Sequence, residues 1–141
     1  MINTKLTRKA MIIAYEAHKN QVDKSGVPYI YHPIHVAEQM NTENECIIAL
    51  LHDVVEDTNV SFKQLEEVFS KEIIDILKLL TREENIEYDE YIKRIKNNSI
   101  ACKVKIADLT HNLDKTRLDF VTEVDVKRSE KYKKALQILY Y

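Results

Sequence analysis

Residues 47–58 have the sequence IIALLHDVVEDT, and this stretch decides the expected fold. It begins as an apolar run that must be buried, and it ends in one histidine and three carboxylates. In a continuous helix, His52 and Glu56 would share one face, and Asp53 and Asp57 would share the neighbouring face. Because unpaired buried charge is very costly, a cation or a water-filled cleft is expected at the end of this helix. The stretch therefore predicts a metal-centred hydrolytic site.

The composition favours helices joined by short polar connections. The chain has 141 residues, of which 45% are hydrophobic and 31% are charged, as is typical of a globular domain with a sizeable core. One glycine and two prolines provide few positions for tight turns. We therefore predict an all-α fold, a single-domain helical bundle that occupies residues 1–141.

The net charge and the apolar pattern exclude several classes of function. A formal net charge of −2 gives no basis for a general nucleic-acid or membrane surface. No uninterrupted apolar segment is long enough to span a bilayer and the N-terminus lacks a signal-peptide pattern, so a cytoplasmic location is expected. Cys46 and Cys102 could form a disulfide by number alone, but in that compartment two buried free thiols are expected. The sequence leaves the oligomeric state open.

Apolar spacing and capping residues predict the individual helices. Thr4 or Thr7 would cap the first helix, Thr42 or Asn44 would cap the central one, and Ser61 with Gln64 would form a capping box. Residues 21–31 contain the only glycine and are predicted to form a loop. The other predicted spans are 6–20, 33–41, 62–69, 73–80, 88–95, 100–115 and a last helix from about 126.

Two imidazoles and two carboxylates stand out as candidate metal ligands: His32, His52, Asp53 and Asp108. This mixed nitrogen and oxygen set suits a divalent transition metal such as manganese, iron, cobalt or zinc. A loop end and two buried helices would bring them to one point, as a metal site in a helical bundle requires. Taken singly, each residue also fits an ordinary role, such as capping for His32. Their joint occurrence favours the metal site.

Three blocks of the chain resemble the signature blocks of a known family. They are SGVPYIYHP at 25–33, LHDVVEDT at 51–58 and KIADLTHNL at 105–113. These blocks resemble the alarmone hydrolase domain, a member of the HD superfamily of metal-dependent phosphohydrolases. That domain removes the 3′-diphosphate from guanosine tetra- and pentaphosphate with manganese. The resemblance covers residues 17–118, most of the chain.

The resemblance implies roles for individual residues. The metal ligands would be His32, His52, Asp53 and Asp108, and Mn²⁺ would be the expected ion. Glu56 and Asp57 match the acidic pair that positions or activates the attacking water. Lys24 and Tyr29 match the loop over the nucleotide, and Asn112 matches a polar residue that faces the substrate. Lys103 and Lys105 would offer charge to phosphate oxygens, or would be ordinary solvated lysines.

Three positions depart from the family pattern. Asp23 stands where an arginine that stacks on guanine is usual, Leu109 replaces a usual basic residue, and Asn20 replaces a usual glycine. The family's metal ligands are thus all present, whereas residues expected near the base differ. The resemblance therefore supports the reaction class better than it supports the substrate. We predict a metal-dependent phosphohydrolase acting on a nucleotide or a related phosphate ester. The alternatives are a nucleotide-binding or sensor module that retains the metal with little turnover, and a structural helical protein without metal.

Overall fold

The computed structural model describes residues 1–141, which form nine α-helices, one 3₁₀ turn at Lys115–Arg117 and an isolated β-bridge between Val22 and Pro28. The predicted all-α fold is confirmed. In chain order the helices are α1 Lys5–Ala17, α2 Tyr31–Glu38, α3 Glu43–Leu51, α4 Val54–Asp57, α5 Phe62–Glu66, α6 Lys71–Leu80, α7 Tyr88–Lys96, α8 Ser99–Asn112 and α9 Glu123–Tyr140.

Helix α3 lies at the centre of the bundle because its sequence is apolar on every face. All residues from Cys46 to Leu51 are buried, as expected for a helix enclosed by others. It packs against α1, α2, α6 and α8. The surrounding residues form one cluster of 28 buried hydrophobic side chains that reaches from Ala10 to Leu139. This continuous core supports the prediction of one domain, which stays a prediction.

Three helix starts follow the predicted capping chemistry. Thr4 caps α1 with Thr7 as the reciprocal partner, Thr42 caps α3, and Ser61 with Gln64 forms the predicted box. The last helix begins at Glu123, three residues earlier than predicted. The reason is a capping box between Thr122 and Asp125 that the sequence analysis did not use.

The central helix does not run continuously to residue 57, and this prediction was wrong. Helix α3 ends at Leu51, and the single turn of α4 resumes at Val54. The His52 ring turns back and its Nδ1 lies 2.6 Å from the carbonyl oxygen of Ala49. That carbonyl belongs to the last turn of α3, where helix carbonyls lack partners within the helix. The side chain therefore satisfies the helix end where the chain changes direction.

The loop before α2 is held in one conformation by its own polar groups. The Asp23 Oδ1 atom accepts hydrogen bonds from the backbone amides of Ser25 at 2.9 Å and Val27 at 3.0 Å. Gly26 adopts a φ of 81°, a left-handed conformation that side chains disfavour. The carbonyl of Val27 accepts a bond from the Asp23 amide at 2.8 Å, which closes the turn.

Two further expectations concern the cysteines and the membrane. Cys46 and Cys102 are free thiols, as predicted, but only Cys46 is buried and Cys102 is partly exposed. None of the helices combines the length and the apolar character that crossing a bilayer requires.

The enclosed position of α3 predicts a large effect of truncation there. Leu50→Ala should lower the free energy of unfolding by about 2–5 kcal/mol, since it removes a fully buried side chain and leaves a cavity. Urea denaturation followed by circular dichroism measures this change. The matched control is Ile12→Ala on α1, where the side chain is 62% exposed and the change should stay within about 0.5 kcal/mol. Equal effects of the two variants would contradict the central placement of α3.

Candidate metal centre and active-site cleft

Four side chains converge on one point between α2, α3 and α8. His32 is the second residue of α2, His52 and Asp53 occupy the break after α3, and Asp108 lies on α8. One ligand atom from each lies within 4.8 Å of the others. The convergence predicted from three separate elements is present, and His32, His52 and Asp108 are each buried.

The contacts within this cluster run between ring nitrogens and carboxylate oxygens. The Nε2 atom of His32 lies 2.8 Å from Asp108 Oδ1 and 4.0 Å from Asp53 Oδ2. The Nε2 atom of His52 lies 3.1 Å from Asp53 Oδ2 and 3.4 Å from Asp108 Oδ1. Both imidazoles therefore present Nε2 to the same two acids, which is a mixed donor set that divalent transition metals accept.

The His52 ring is arranged as a metal ligand. Its Nδ1 lies 2.6 Å from the Ala49 carbonyl oxygen, so Nδ1 carries a proton, and exchange of the Nε2 proton for a bound cation would free a lone pair on Nε2. That Nε2 atom is fully buried and forms no well-aligned hydrogen bond. A cation bound between the two rings and the two acids would satisfy it. The residues present thus fit a divalent metal ion.

The electrostatics of the cluster also favour a cation. Burial would raise the pKa of Asp53, yet the neighbouring His52 lowers it to about 2. Burial would likewise raise the pKa of Asp108, yet the Lys105 ammonium holds it well below its usual range. Burial would lower the pKa of His52, but Asp53 raises it well above its ordinary value. Two ionised carboxylates therefore attract positive charge to this point.

Three residues predicted to bind substrate lie against the metal ligands. Lys105 Nζ donates to Asp108 Oδ2 at 2.9 Å, and Asn112 Nδ2 donates to Asp108 Oδ1 at 3.1 Å. The Tyr29 hydroxyl donates to Asp53 Oδ2 at 2.5 Å. Each therefore orients a carboxylate of the cluster. All three also line the adjoining cleft, so a contact with substrate stays a prediction for them.

The acidic pair lies at the mouth of a cleft of about 260 Å³ that adjoins the cluster. Glu56 and Asp57 are exposed, and each brings a carboxylate oxygen within 4.8 Å of Asp53. Burial and the charges of Asp53 and Glu56 raise the pKa of Asp57 to about 6. A carboxyl group with such a pKa can exchange a proton near neutral pH. We call this space the active-site cleft.

Two cations of the active-site cleft were missed by the sequence analysis. Arg82 follows α6 and Lys131 lies on α9, and both line the same space as Lys105. Lys131 Nζ lies 4.0 Å from the centre of the Tyr88 ring, and Arg82 lies 5.5 Å from it. Neither belongs to a block with recognisable spacing. Only the packing of α9 against α7 and α8 brings Lys131 here, so the sequence offered no signal.

The other predicted lysines have different surroundings. Lys24 pairs with Asp125 at the start of α9 and lines a second cavity of about 340 Å³, which the active-site cleft joins at Tyr29 and Asn112. Lys103 points away from the site. Its Nζ donates to Asn41 at 2.6 Å and to Glu45 at 2.7 Å, so its interpretation as a phosphate contact finds no support.

The three departures from the family pattern have structural explanations. Asp23 supports the loop backbone, and its Oδ2 lies 3.8 Å from the Arg117 guanidinium. Leu109 is fully buried within the core cluster. Asn20 needs no glycine, because no residue other than Gly26 has a positive φ. Asp23 and Leu109 thus support the fold, but Asp23 also lines the second cavity and Leu109 also lines the cleft beside the metal cluster.

The remaining histidines lie outside the active-site cleft. His18 is 1% exposed and packs beside Tyr29, with ring centres 4.9 Å apart, and its Nδ1 lies 2.8 Å from the Gln21 side-chain oxygen. His111 lies directly against His32.

Comparison with known proteins agrees with this geometry. Residues 10–105 match a protein family described as the HD domain. The match covers more than half of the chain, and the chain belongs to the HD-domain family. Asp108 lies just beyond the matched residues, so its place in the cluster rests on the structure.

Within this family the chain is a homologue of guanosine-3′,5′-bis(diphosphate) 3′-pyrophosphohydrolases. It is 34% identical over 124 residues to the zebrafish (Danio rerio) enzyme of that name, MESH1, covering 79% of this chain and 69% of the relative. It is 30% identical over 124 residues to the bifunctional (p)ppGpp synthase/hydrolase SpoT of Escherichia coli. That match covers 77% of this chain but only 18% of the relative.

The fold has a close counterpart among solved structures. A metazoan SpoT orthologue, described as hydrolysing ppGpp, superimposes with a TM-score of 0.78 at 24% identity. The match covers 99% of this chain and 88% of the other. At this level of identity the likeness establishes the fold.

Loss of one carboxylate should abolish metal binding. Asp53→Ala removes an oxygen that lies within reach of both imidazoles, and we expect metal binding and hydrolysis to be lost together. Equilibrium dialysis against Mn²⁺ with elemental analysis measures the bound ion. Asp75→Ala, at an exposed position of α6, is the control and should retain the metal. Full metal content in the Asp53 variant would show that the ligand assignment is wrong.

Proposed function

We propose that this protein is a metal-dependent pyrophosphohydrolase that removes the 3′-diphosphate of guanosine tetra- or pentaphosphate and uses Mn²⁺ as its ion. The observation that carries the proposal is the cluster of two imidazoles and two carboxylates beneath a cleft lined by cations. The expected cytoplasmic location and the function of residues 1–141 as one domain are part of the same proposal.

The chain's residues fit the steps of phosphoryl hydrolysis. His32, His52, Asp53 and Asp108 would hold the ion, which when bound lowers the pKa of water and offsets charge on phosphoryl oxygens. The neighbouring carboxylate of Glu56 would orient the attacking water and accept its proton. Its side chain is already fixed, because Glu56 Oε1 accepts a hydrogen bond from the Arg82 backbone amide at 2.9 Å.

Asp57 would serve as the second acid–base group. Its pKa of about 6 leaves it partly protonated near neutral pH, so it can return a proton to the leaving oxygen. The end of α4 is held in place from outside, since the Gln21 side chain donates to the Asp57 carbonyl oxygen at 2.8 Å. The acidic pair thus has a defined position at the mouth of the active-site cleft.

The cations would receive the diphosphate. Arg82 and Lys131 are exposed side chains that line the active-site cleft beside the Tyr88 ring, and neither forms a salt bridge with an acid. Their charges would stabilise the negative charge that develops on the phosphoryl oxygens. Lys105 is engaged with Asp108, so we assign it mainly to the orientation of that ligand and only secondarily to the substrate.

The nucleoside would occupy the second cavity, which holds Lys24, Arg117, Arg128 and Tyr132. It meets the active-site cleft at Tyr29 and Asn112, so one molecule can place its sugar between the two spaces. The names of the relatives support a guanosine 3′-diphosphate as the substrate. Because the chain spans 18% of the bacterial SpoT and 17% of the Haemophilus influenzae enzyme, only the hydrolytic activity is proposed here.

The sensor alternative stays a second candidate, because Asp23 lines the second cavity and Leu109 lines the active-site cleft. It was based on Asp23 and Leu109 as residues that weaken the substrate pocket. Leu109 is buried in the core, and the Asp23 carboxylate is occupied by the loop backbone and faces Arg117. The acidic pair, to which we assign proton transfer, lines the active-site cleft, and this favours the hydrolase over the sensor.

A substrate panel tests the proposed reaction. We expect the protein with Mn²⁺ to release diphosphate from guanosine tetraphosphate, to leave GDP and GTP intact, and to stop when a chelator removes the ion. Chromatography of the nucleotide products measures this. Release of phosphate from other nucleotides only would overturn the substrate. Bound nucleotide without any release would favour the sensor, provided that the metal content is full.

The acidic pair yields a second kinetic prediction. Glu56→Gln keeps the side-chain oxygen that the Arg82 amide contacts but removes the carboxylate, so kcat should fall by roughly 10²–10⁴-fold. Bound Mn²⁺ should be unchanged, as measured by elemental analysis. Glu66→Gln on α5 provides the control and should keep full activity. An unchanged kcat in the Glu56 variant would remove this residue from the mechanism.

A further inference from the structure

His111 holds an unusual position behind one of the candidate ligands. Its Nδ1 lies 2.7 Å from Nδ1 of His32, and the two ring planes differ by only 4°. The ring centres are 5.0 Å apart, much farther than the two nitrogens. The rings therefore meet edge to edge in nearly one plane, which is the geometry of a straight N–H···N hydrogen bond.

This contact lies on the opposite edge of His32 from the metal cluster. The carboxylates of Asp53 and Asp108 approach Nε2 of His32, whereas His111 approaches Nδ1. His111 is therefore not a further ligand. Its Nδ1 contacts Nδ1 of His32, the ring nitrogen that would not bind the ion.

We infer that His111 is a positioning residue that fixes the proton of His32 on Nδ1, so that Nε2 is free to bind the metal. The inference rests on the proposed metal-dependent function. A buried imidazole can ligate through Nε2 only when its proton is on Nδ1, and that proton needs an acceptor. The Nδ1 atom of His111 is the acceptor that the structure provides.

The two ligand histidines thus have different partners for the same purpose. The proton on Nδ1 of His52 goes to a backbone carbonyl, that of Ala49, at 2.6 Å. No backbone carbonyl contacts His32 Nδ1, which instead meets a side chain. Because the partner of His32 is the His111 side chain, a substitution of His111 tests the role of this partner without changing the backbone.

The position of His111 is itself determined by its surroundings. It lies one turn after the ligand Asp108 on α8, and the His35 ring stacks on it with centres 3.9 Å apart and planes 21° apart. Arg117 Nη1 donates to the His111 carbonyl oxygen at 3.0 Å and thereby holds the end of the helix. One turn of α8 therefore supplies both a ligand and the partner of another ligand.

Two substitutions separate the acceptor from the ring. His111→Phe keeps a flat ring against His35 but has no acceptor, and we expect its affinity for Mn²⁺ to fall about 10–100-fold. His111→Asn places a side-chain oxygen close to the position of Nδ1 and should recover most of that affinity. His35→Phe, which keeps the stacking but does not touch His32, should bind Mn²⁺ like the unaltered protein. Isothermal titration with Mn²⁺ alone measures all three.

A spectroscopic readout reports on the proton itself. In the zinc-loaded protein, ¹⁵N chemical shifts of the His32 ring should show a protonated Nδ1, and in His111→Phe this signal should be lost or exchange-broadened. Urea denaturation of each variant checks that it is folded. Equal Mn²⁺ affinity of His111→Phe and the unaltered protein would overturn the inference. Failure of the unaltered protein to bind Mn²⁺ would instead overturn the proposed function.

Discussion

The structure depends on the compensation of negative charge inside an apolar bundle. Asp53 and Asp108 approach each other at the inner end of the helix that forms the centre of the core. Ionised carboxylates in such a place require partners, because burial without them is far more costly than any gain from packing. Two imidazoles supply part of the compensation, and the Lys105 ammonium supplies more. The negative charge of Asp53 and Asp108 that these groups leave uncompensated makes the cluster suitable for a divalent ion.

A second layer of contacts holds this cluster rigid. Asn112 and Lys105 fix the two oxygens of Asp108, and the Tyr29 hydroxyl fixes Asp53. Each of these side chains also faces the active-site cleft. Such outer contacts commonly affect metal affinity and reactivity nearly as strongly as the ligands themselves.

The break between α3 and α4 relates the metal cluster to the acidic pair. If the helix ran on without interruption, His52 would remain on the helix surface and its ring would have no reason to turn toward Ala49. The break lets His52 satisfy the helix end while Asp53 turns to the cluster, and it starts a new turn that carries Glu56 and Asp57 to the cleft mouth. Under the proposed function, metal ligation and proton transfer would thus fall to two short segments with separate supports.

The sequence by itself determined the helical class, the burial of the stretch before His52, and the residue types that form the cluster. Apolar spacing and capping chemistry are local properties, so Ser61 with Gln64 and the stripe at 73–80 could be predicted without a structure. Only the tertiary structure decided the helix break, the burial of His18, and the arrival of Arg82 and Lys131 at the cleft. It also decided that His111 meets His32, since these residues are far apart in the chain and lie on different helices. Contacts of this kind depend on how the helices pack, and spacing along one helix carries no information about them.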